Sequence, residues 1–230
     1  PAPTYFGRFP GCRAPPTVAV GNLAGLLRPG NPPDEAMDET SADKADIRAM
    51  ALARRDALGA DRHTRAAQVL ADHADAIGFQ DGNIVSGFWP IRSEIDPRPL
   101  MDALAARGAT IALPAVIDRQ TIAFRRYGPD VRLLAGSFGT SAPGPDAETL
   151  DPDLMLVPLA AFDGAGNRIG YGAGHYDRAI ARLHAAGRRP RLVGLAFQCQ
   201  RVPAVPAEPH DVPLDTVLTE NGLQEFAQRG

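Results

Sequence analysis

Cysteine is scarce in this chain: two among 230 residues, Cys12 and Cys199, far apart and forming no CxxC pair. That pattern reads as free thiols in a reducing compartment, the cytoplasm, with Cys199 buried near a strand end. Long apolar runs are missing too. The most apolar stretch near the start, TVAVGNLAGLL at residues 17–27, is too short to span a bilayer and lacks the flanks of a clean signal peptide, so no membrane partner is expected. Neither sign of charge dominates. A net charge of -3 and a pI near 6.0 exclude a general attraction to nucleic acid, although a local basic patch stays compatible with them. No GK[ST] follows a glycine-rich stretch, and no GxGxxG leads on to a strand and an acidic residue, which speaks against a Walker loop and a dinucleotide site. There is no internal repeat.

What is present is ordinary globular material, 44% hydrophobic and 22% charged, enough for one sizeable α/β domain. Residues 1–40 are rich in Pro and Gly without sustained period and read as a flexible or extended leader. Met37 stands just before the first convincing helix, so the upstream segment is expected to lie outside the ancestral domain, which spans 41–230. Helices are expected at 42–58 (capped by Thr40 or Ser41), 62–77 (capped by Asp61), 97–107, 176–186 and from Asn221 onward. Strands are expected at 83–89, 110–113 (ended by Pro114), 122–127, 153–157 (ended by Pro158), 191–197 and 216–218. Short apolar strands alternating with amphipathic helices predict a mostly parallel sheet covered on both faces, a three-layer α/β/α domain. In such sheets ligands bind beyond the carboxyl ends of the strands, so the loops after Trp89, Leu113, Val157 and Phe197 are where chemistry is expected.

The segment AFDGAGNRIGYGAGHYDR, residues 161–178, stands out. Five of the eleven residues at 164–174 are glycine, the segment follows an apolar strand, and it leads into a helix. Glycines let backbone N–H groups approach an anion, the helix N-terminus adds positive potential, and Arg168 adds a full charge. This is phosphate-cradling chemistry; a connector that merely turns a corner stays open beside it.

Read as a longer string, LVPLAAFDGAGNRIGYGAGHYDR (156–178) resembles the signature of the 5-formyltetrahydrofolate cyclo-ligase family, an LVPLxAFD…G.RLG.G.G.YDR pattern. Further segments agree in order: KADIR (44–48), WPIRSEID (89–96), ALP (112–114) before IAFRRY (122–127), GSFGTSAP (136–143) and GLAFQCQRVPAVPAEPHDVPLD (194–215). The resemblance spans roughly residues 44–220. It implies a fold like that of sugar-phosphate isomerases and CoA transferases, and Mg·ATP-dependent closure of 5-formyltetrahydrofolate to 5,10-methenyltetrahydrofolate. The partners implied are ATP and the folate, with or without a polyglutamate tail, and the chain is expected as a monomer or weak homodimer.

The resemblance also implies residue roles. Lys44, Arg48, Arg168, Gly170, Gly172, Gly174, Tyr176 and Asp177 meet ATP, with Arg168 catalytic; Arg55, near the Lys44–Arg48 helix face, is left as a solvated charge. Glu94 and Trp89 hold the pterin, with Tyr171 and His175 beside them. Asp177 and Asp211 are the implied Mg²⁺ carboxylates, oxygen ligands suiting that ion better than the neighbouring His210. Tyr171, Ala173 and His175 depart from the family pattern, and the loop has no lysine. No covalent nucleophile is needed, in keeping with the absence of a Ser-His-Asp or Cys-His constellation. Two rivals remain: a different enzyme on the same fold, and a binding module without turnover.

Overall fold

The computed structural model describes residues 38–136, 139–208 and 211–227. The expected leader up to residue 37, Cys12 and His210 therefore lie outside the described residues.

The described residues open with helix α1 (Asp38–Asp56), and Thr40 and Ser41 lie within it rather than before it. Helix α2 (Ala60–Asp72) starts from Gly59 without any side-chain cap, so Asp61 sits in the first turn instead, where a carboxylate complements the helix dipole. Strand β1 (Ile84–Ser86), helix α3 (Arg98–Ala105) and strand β2 (Thr110–Val116) follow. Pro114 does not end β2. The β1 ladder stops at the Ser86–Ala112 pair, so Pro114 has a strand neighbour on one side only, where its missing N–H is tolerated.

Next come β3 (Ile122–Arg126), β4 (Leu133–Ala135), β5 (Ser141–Pro143), β6 (Thr149–Leu150) and β7 (Leu154–Pro158). The rest comprises β8 (Ala161–Phe162), β9 (Arg168–Ile169), α4 (His175–Ala185), β10 (Arg191–Leu195), β11 (Thr216–Thr219) and β12 (Gly222–Glu225). Among the described residues the expected C-terminal helix is absent: the chain turns at Glu220-Asn221, Gly222 adopts φ 104 as the first residue of β12, and β12 folds back antiparallel onto β11.

The main sheet runs β12-β11-β10-β7-β1-β2-β3-β6. Strands β11, β10, β7, β1 and β2 are parallel; β12, β3 and β6 join antiparallel at the margins. Alternation along β7 shows how the layers form. Leu154 and Leu156 face α2 and α3 with Leu70, Leu100 and Leu104, while Met155 and Val157 face α4 with Ile180 and Leu183. Each such burial is worth about 1.5–3 kcal/mol, and together they make the expected three-layer α/β/α arrangement. Helix α1 joins neither main layer; its Ala51 packs with Ala161 and Ile169 of the β8–β9 hairpin. That leaves its polar face free to reach the carboxyl ends of the central strands.

Candidate active site

The carboxyl ends of β7, β1 and β2 open into a cavity of about 360 Å³, within the usual range for small-molecule sites. It has two unlike walls. One is built by the chain leaving β1, with Phe88, Trp89 and Glu94. The other is built by the second half of the glycine-rich segment, from Arg168 to Asp177.

The first half of that segment is structural. Asp163, buried, accepts from the N–H groups of Ala165 and Asn167 at 2.9 and 3.0 Å, and its other oxygen accepts from Asn167 Nδ2 and from Val205 N–H. This ties a tight turn into the β8–β9 hairpin, and Arg168 lies in β9 rather than in an open loop. A Cβ on Gly166 (φ 82) would stand 2.8 Å from the Leu214 carbonyl oxygen, so the turn also packs against the chain before β11.

Beyond Ile169 the backbone is free to face the cleft. Gly172 (φ 96) and Gly174 (φ 64) both adopt left-handed conformations that side chains disfavour. Gly174 is the N-cap of α4 and offers no capping group, so the first N–H groups of that helix point outward unsatisfied by any side-chain cap.

The charges here pair with one another. Arg168, its side chain 6% exposed, donates through Nη1 to the Val212 carbonyl and through Nη2 to Asp177 Oδ1. Lys44, the chain's single lysine, donates to Glu208 at 2.7 Å and Asp211 at 2.8 Å. Burial works against the Lys44 charge, but the hydrogen bonds to Asp211 and Glu208 outweigh it and hold its pKa above the ordinary value. Arg48 Nε donates to the Gly170 carbonyl at 2.8 Å. His175 lines the cavity and donates through Nε2 to the Arg119 carbonyl at 3.1 Å, pinning the β2–β3 turn to the start of α4; Arg178 donates to the same turn.

Of the residues singled out in the sequence, Trp89, Glu94, Arg168, Gly170, Tyr171, Gly174, His175, Tyr176 and Asp177 line the cavity. Lys44, Arg48, Gly172 and Asp211 stand outside its lining and border the glycine-rich side through the contacts above. Asp177 and Asp211 flank Arg168 and Lys44 respectively, with which they form ion pairs. They are linked through Arg168, which bonds Asp177 and the carbonyl of Val212, the neighbour of Asp211. Among the described residues no three His, Cys, Asp or Glu side chains cluster to cage a metal. The donor set still fits Mg²⁺, which takes one or two carboxylates and fills its shell with phosphate oxygens and water; both carboxylates keep solvent access, 30% for Asp177 and 22% for Asp211.

The opposite wall is drier. Trp89 packs edge-on to Tyr127 with ring centroids 6.0 Å apart, and the Arg98 guanidinium lies over its ring at 5.0 Å. Glu94 is 8% exposed. Its Oε2 accepts the Ile91 N–H at 2.8 Å across a turn in which Arg92 takes φ 53. Burial pushes the Glu94 carboxyl above the ordinary range, and hydrogen bonds from Tyr171 and Ile91 with the charges of Arg55 and Arg92 offset this only in part. The Tyr176 hydroxyl is buried with no hydrogen-bond partner among the described residues, and burial raises its pKa and that of Tyr171.

Sequence reasoning missed Arg55. It is 2% exposed, donating to Ser93 Oγ at 3.0 Å and to the Tyr171 hydroxyl at 2.6 Å. The signal was its place on the same helix face, eleven residues (about three turns) beyond Lys44.

A buried carboxylate across a cleft from a glycine-lined, cation-bordered helix start, at the carboxyl ends of parallel strands, defines a class: an α/β protein with a small-molecule cleft where such folds carry their active sites. Comparison with known proteins narrows the class. Residues 40–220 match the model of the 5-formyltetrahydrofolate cyclo-ligase family, and the chain belongs to that family. It is a ligase. It is 32% identical over 161 residues to the 5-formyltetrahydrofolate cyclo-ligase of Haemophilus influenzae, covering 67% of this chain and 85% of the relative. The Escherichia coli K12 enzyme of the same name is 31% identical over 148 residues, covering 62% and 80%. Among solved structures, the 5,10-methenyltetrahydrofolate synthetase of Aquifex aeolicus superposes with TM-score 0.68 at 26% identity, covering 81% of this chain and 94% of that one.

Proposed function

We propose that the protein converts 5-formyltetrahydrofolate to 5,10-methenyltetrahydrofolate with Mg·ATP, releasing ADP and phosphate. The observation that carries this reading is the pairing of two unlike walls on one cavity. An ATP phosphate chain suits the turn at 170–174 and the start of α4, and a pterin suits Glu94.

The formyl group is an amide, and its oxygen leaves poorly. In the proposed reaction that oxygen attacks the γ-phosphorus and ADP departs. N10 then attacks the activated carbon, the C–O bond breaks, phosphate leaves and the N10 proton is lost, giving the methenyl bridge. The protein's part is positioning and charge stabilisation. Arg168, supported by α4, neutralises the transferring phosphoryl group; Gly170, Gly172 and Gly174 let the backbone come close; Lys44 and Arg48 add charge from α1. Asp177 and Asp211 are the residues that would hold Mg²⁺, which when bound would neutralise phosphate charge. Glu94 accepts from the ring amino and N–H groups of the pterin, Trp89 stacks or packs beside it, and Tyr171, Tyr176 and His175 close the space between the two ligands. The absence of a helix long and apolar enough to cross a membrane among the described residues, and the free Cys199 thiol, accord with a cytoplasmic setting.

Methenyl formation is followed by its absorbance, with 5-formyltetrahydrofolate and Mg²⁺, with and without ATP. Product appearing only with ATP supports the reading. Folded protein that binds ATP yet makes no product contradicts it.

A further inference from the structure

Helix α1 sends its buried arginine, Arg55, to the wall opposite the one that Lys44 and Arg48 serve. An arginine 2% exposed has given up nearly all its hydration, which costs several kcal/mol unless its charge and donors are met. The nearest carboxylate in contact, Asp56 at 3.8 Å, is itself 61% exposed and answers that charge weakly. The buried answer lies farther on. Arg55 Nη1 donates to the Tyr171 hydroxyl at 2.6 Å, its guanidinium sits 5.8 Å from that ring's centroid, and Tyr171 lines the cavity together with Glu94. Arg55 Nε meanwhile holds Ser93, the residue next to Glu94. Both Glu94 and Tyr171 line the cavity, and Arg55 does not.

We propose that Arg55 is a positioning residue for substrate binding, fixing Tyr171 and the 91–94 turn so that Glu94 presents an ionised carboxylate to the pterin. This rests on the reading of Glu94 as the pterin's acceptor. The charged and titratable groups facing Glu94 are Arg55 from α1, Arg92 from its own turn, Tyr171 from the glycine-rich segment and Tyr176 from α4. Burial already raises the Glu94 pKa, and Arg55 opposes that rise. Removing the guanidinium therefore raises it further. Folate binding, which needs the carboxylate, must then fail at a higher pH than in the wild type as the solution is acidified. On the nucleotide side the contacts of Lys44 and Arg48 do not involve Arg55, and only Tyr171, within the 170–174 turn, is shared.

The test measures KM for 5-formyltetrahydrofolate, KM for ATP and kcat across pH in the wild type, Arg55→Met and Arg55→Lys. Methionine fills much of the volume without leaving a charge stranded. The expected result for Arg55→Met is about a tenfold rise in folate KM at neutral pH, as for a lost charged hydrogen bond. The acid limb moves to higher pH, ATP KM changes less than folate KM and kcat stays within about threefold. Lysine restores the charge but not the two-pronged donation, so its acid limb returns toward the wild type while folate KM stays raised. A merely structural arginine would lower the active fraction, and with it kcat, leaving folate KM and the acid limb in place; that outcome overturns the proposal. If Arg55→Met does not fold, Arg55→Lys decides: a wild-type folate KM in that variant overturns it. A wild type that makes no methenyl product sinks the folate reading itself, a different failure from an active wild type indifferent to Arg55.

Discussion

The two walls of the cavity handle charge in opposite ways. On the glycine-rich side the charges are met at short range: Arg168 by Asp177, Lys44 by Glu208 and Asp211, and Arg48 by the Gly170 carbonyl. On the other side Glu94 is buried behind an indirect cation, reached through a tyrosine, and its carboxyl is held above the ordinary range. The first arrangement suits a ligand that brings its own charges and metal, exchanging one set of ion pairs for another. The second suits a neutral heterocycle that brings hydrogen-bond donors and displaces little water. A paired site and a strained site thus share one cavity, and their variants should fail differently.

The largest effect is expected from Arg168→Ala. Turnover per folded molecule should fall by about 10²–10³, as for a lost group that stabilises developing charge, while folate affinity stays near wild type; the circular-dichroism melt falls as well, because the buried guanidinium holds the Val212 carbonyl and Asp177. Near-normal turnover would remove Arg168 from the chemistry. Next, Glu94→Gln should raise folate KM by about 10–100-fold, the range for a lost charged acceptor, and hold or raise thermal stability. The sign follows from the raised carboxyl: a carboxylate whose folded pKa exceeds its unfolded value weakens the fold as pH rises through that window, and glutamine removes that penalty. The acid limb of folate kcat/KM, expected above the usual carboxylate range, should disappear in the same variant. A retained limb would assign it to another group.

Smaller changes separate the two halves of the glycine-rich segment. Gly166→Ala should destabilise by about 1–3 kcal/mol, from left-handed strain and crowding, because its Cβ would meet the Leu214 carbonyl at 2.8 Å. Activity per folded molecule should be preserved. Gly172→Ala meets nothing nearer than Arg48 Nη2 at 4.0 Å, so it should cost about 1–2 kcal/mol of strain and raise the KM for ATP. Equal ATP effects in the two variants would abolish the distinction between a structural and a ligand-facing half. The smallest stability effect belongs to Lys44→Met, about 1 kcal/mol, because Glu208 and Asp211, 38% and 22% exposed, stay hydrated when the partly buried lysine is removed, read by denaturant melts. The Lys44 pKa is raised, so its contribution is complete below the unfolded value and fades only in alkaline solution as pH passes the folded one.

Much of this was legible in the sequence, unevenly. Strands β7 and β10 and helix α4 carry strong apolar periodicity, and the parallel α/β/α arrangement follows from them. What was missed has local causes. Pro114 read as a strand end because the one-sided pairing that tolerates it is a property of the sheet. Asn221 read as the start of a helix, although Asn-Gly is a turn signal, because no strand was expected after it. The β8–β9 hairpin hid inside the glycine-rich string, since two-residue strands leave no period and the turn is made by the buried carboxylate of Asp163. In the site, the residues that line the cavity were largely those the motifs named. Arg55 was not, because a charge on an amphipathic helix is ordinarily solvated, and only the burial of that helix face against Tyr171 and Ser93 reverses the expectation.

The division of labour between the walls is tested most directly by titration calorimetry on Arg168→Ala and Glu94→Gln, binding a non-hydrolysable ATP analogue with Mg²⁺ and 5-formyltetrahydrofolate separately to each. The account predicts that Arg168→Ala weakens only the nucleotide analogue and Glu94→Gln only the folate. Weakening of both ligands by both variants, or the reverse assignment, would contradict it.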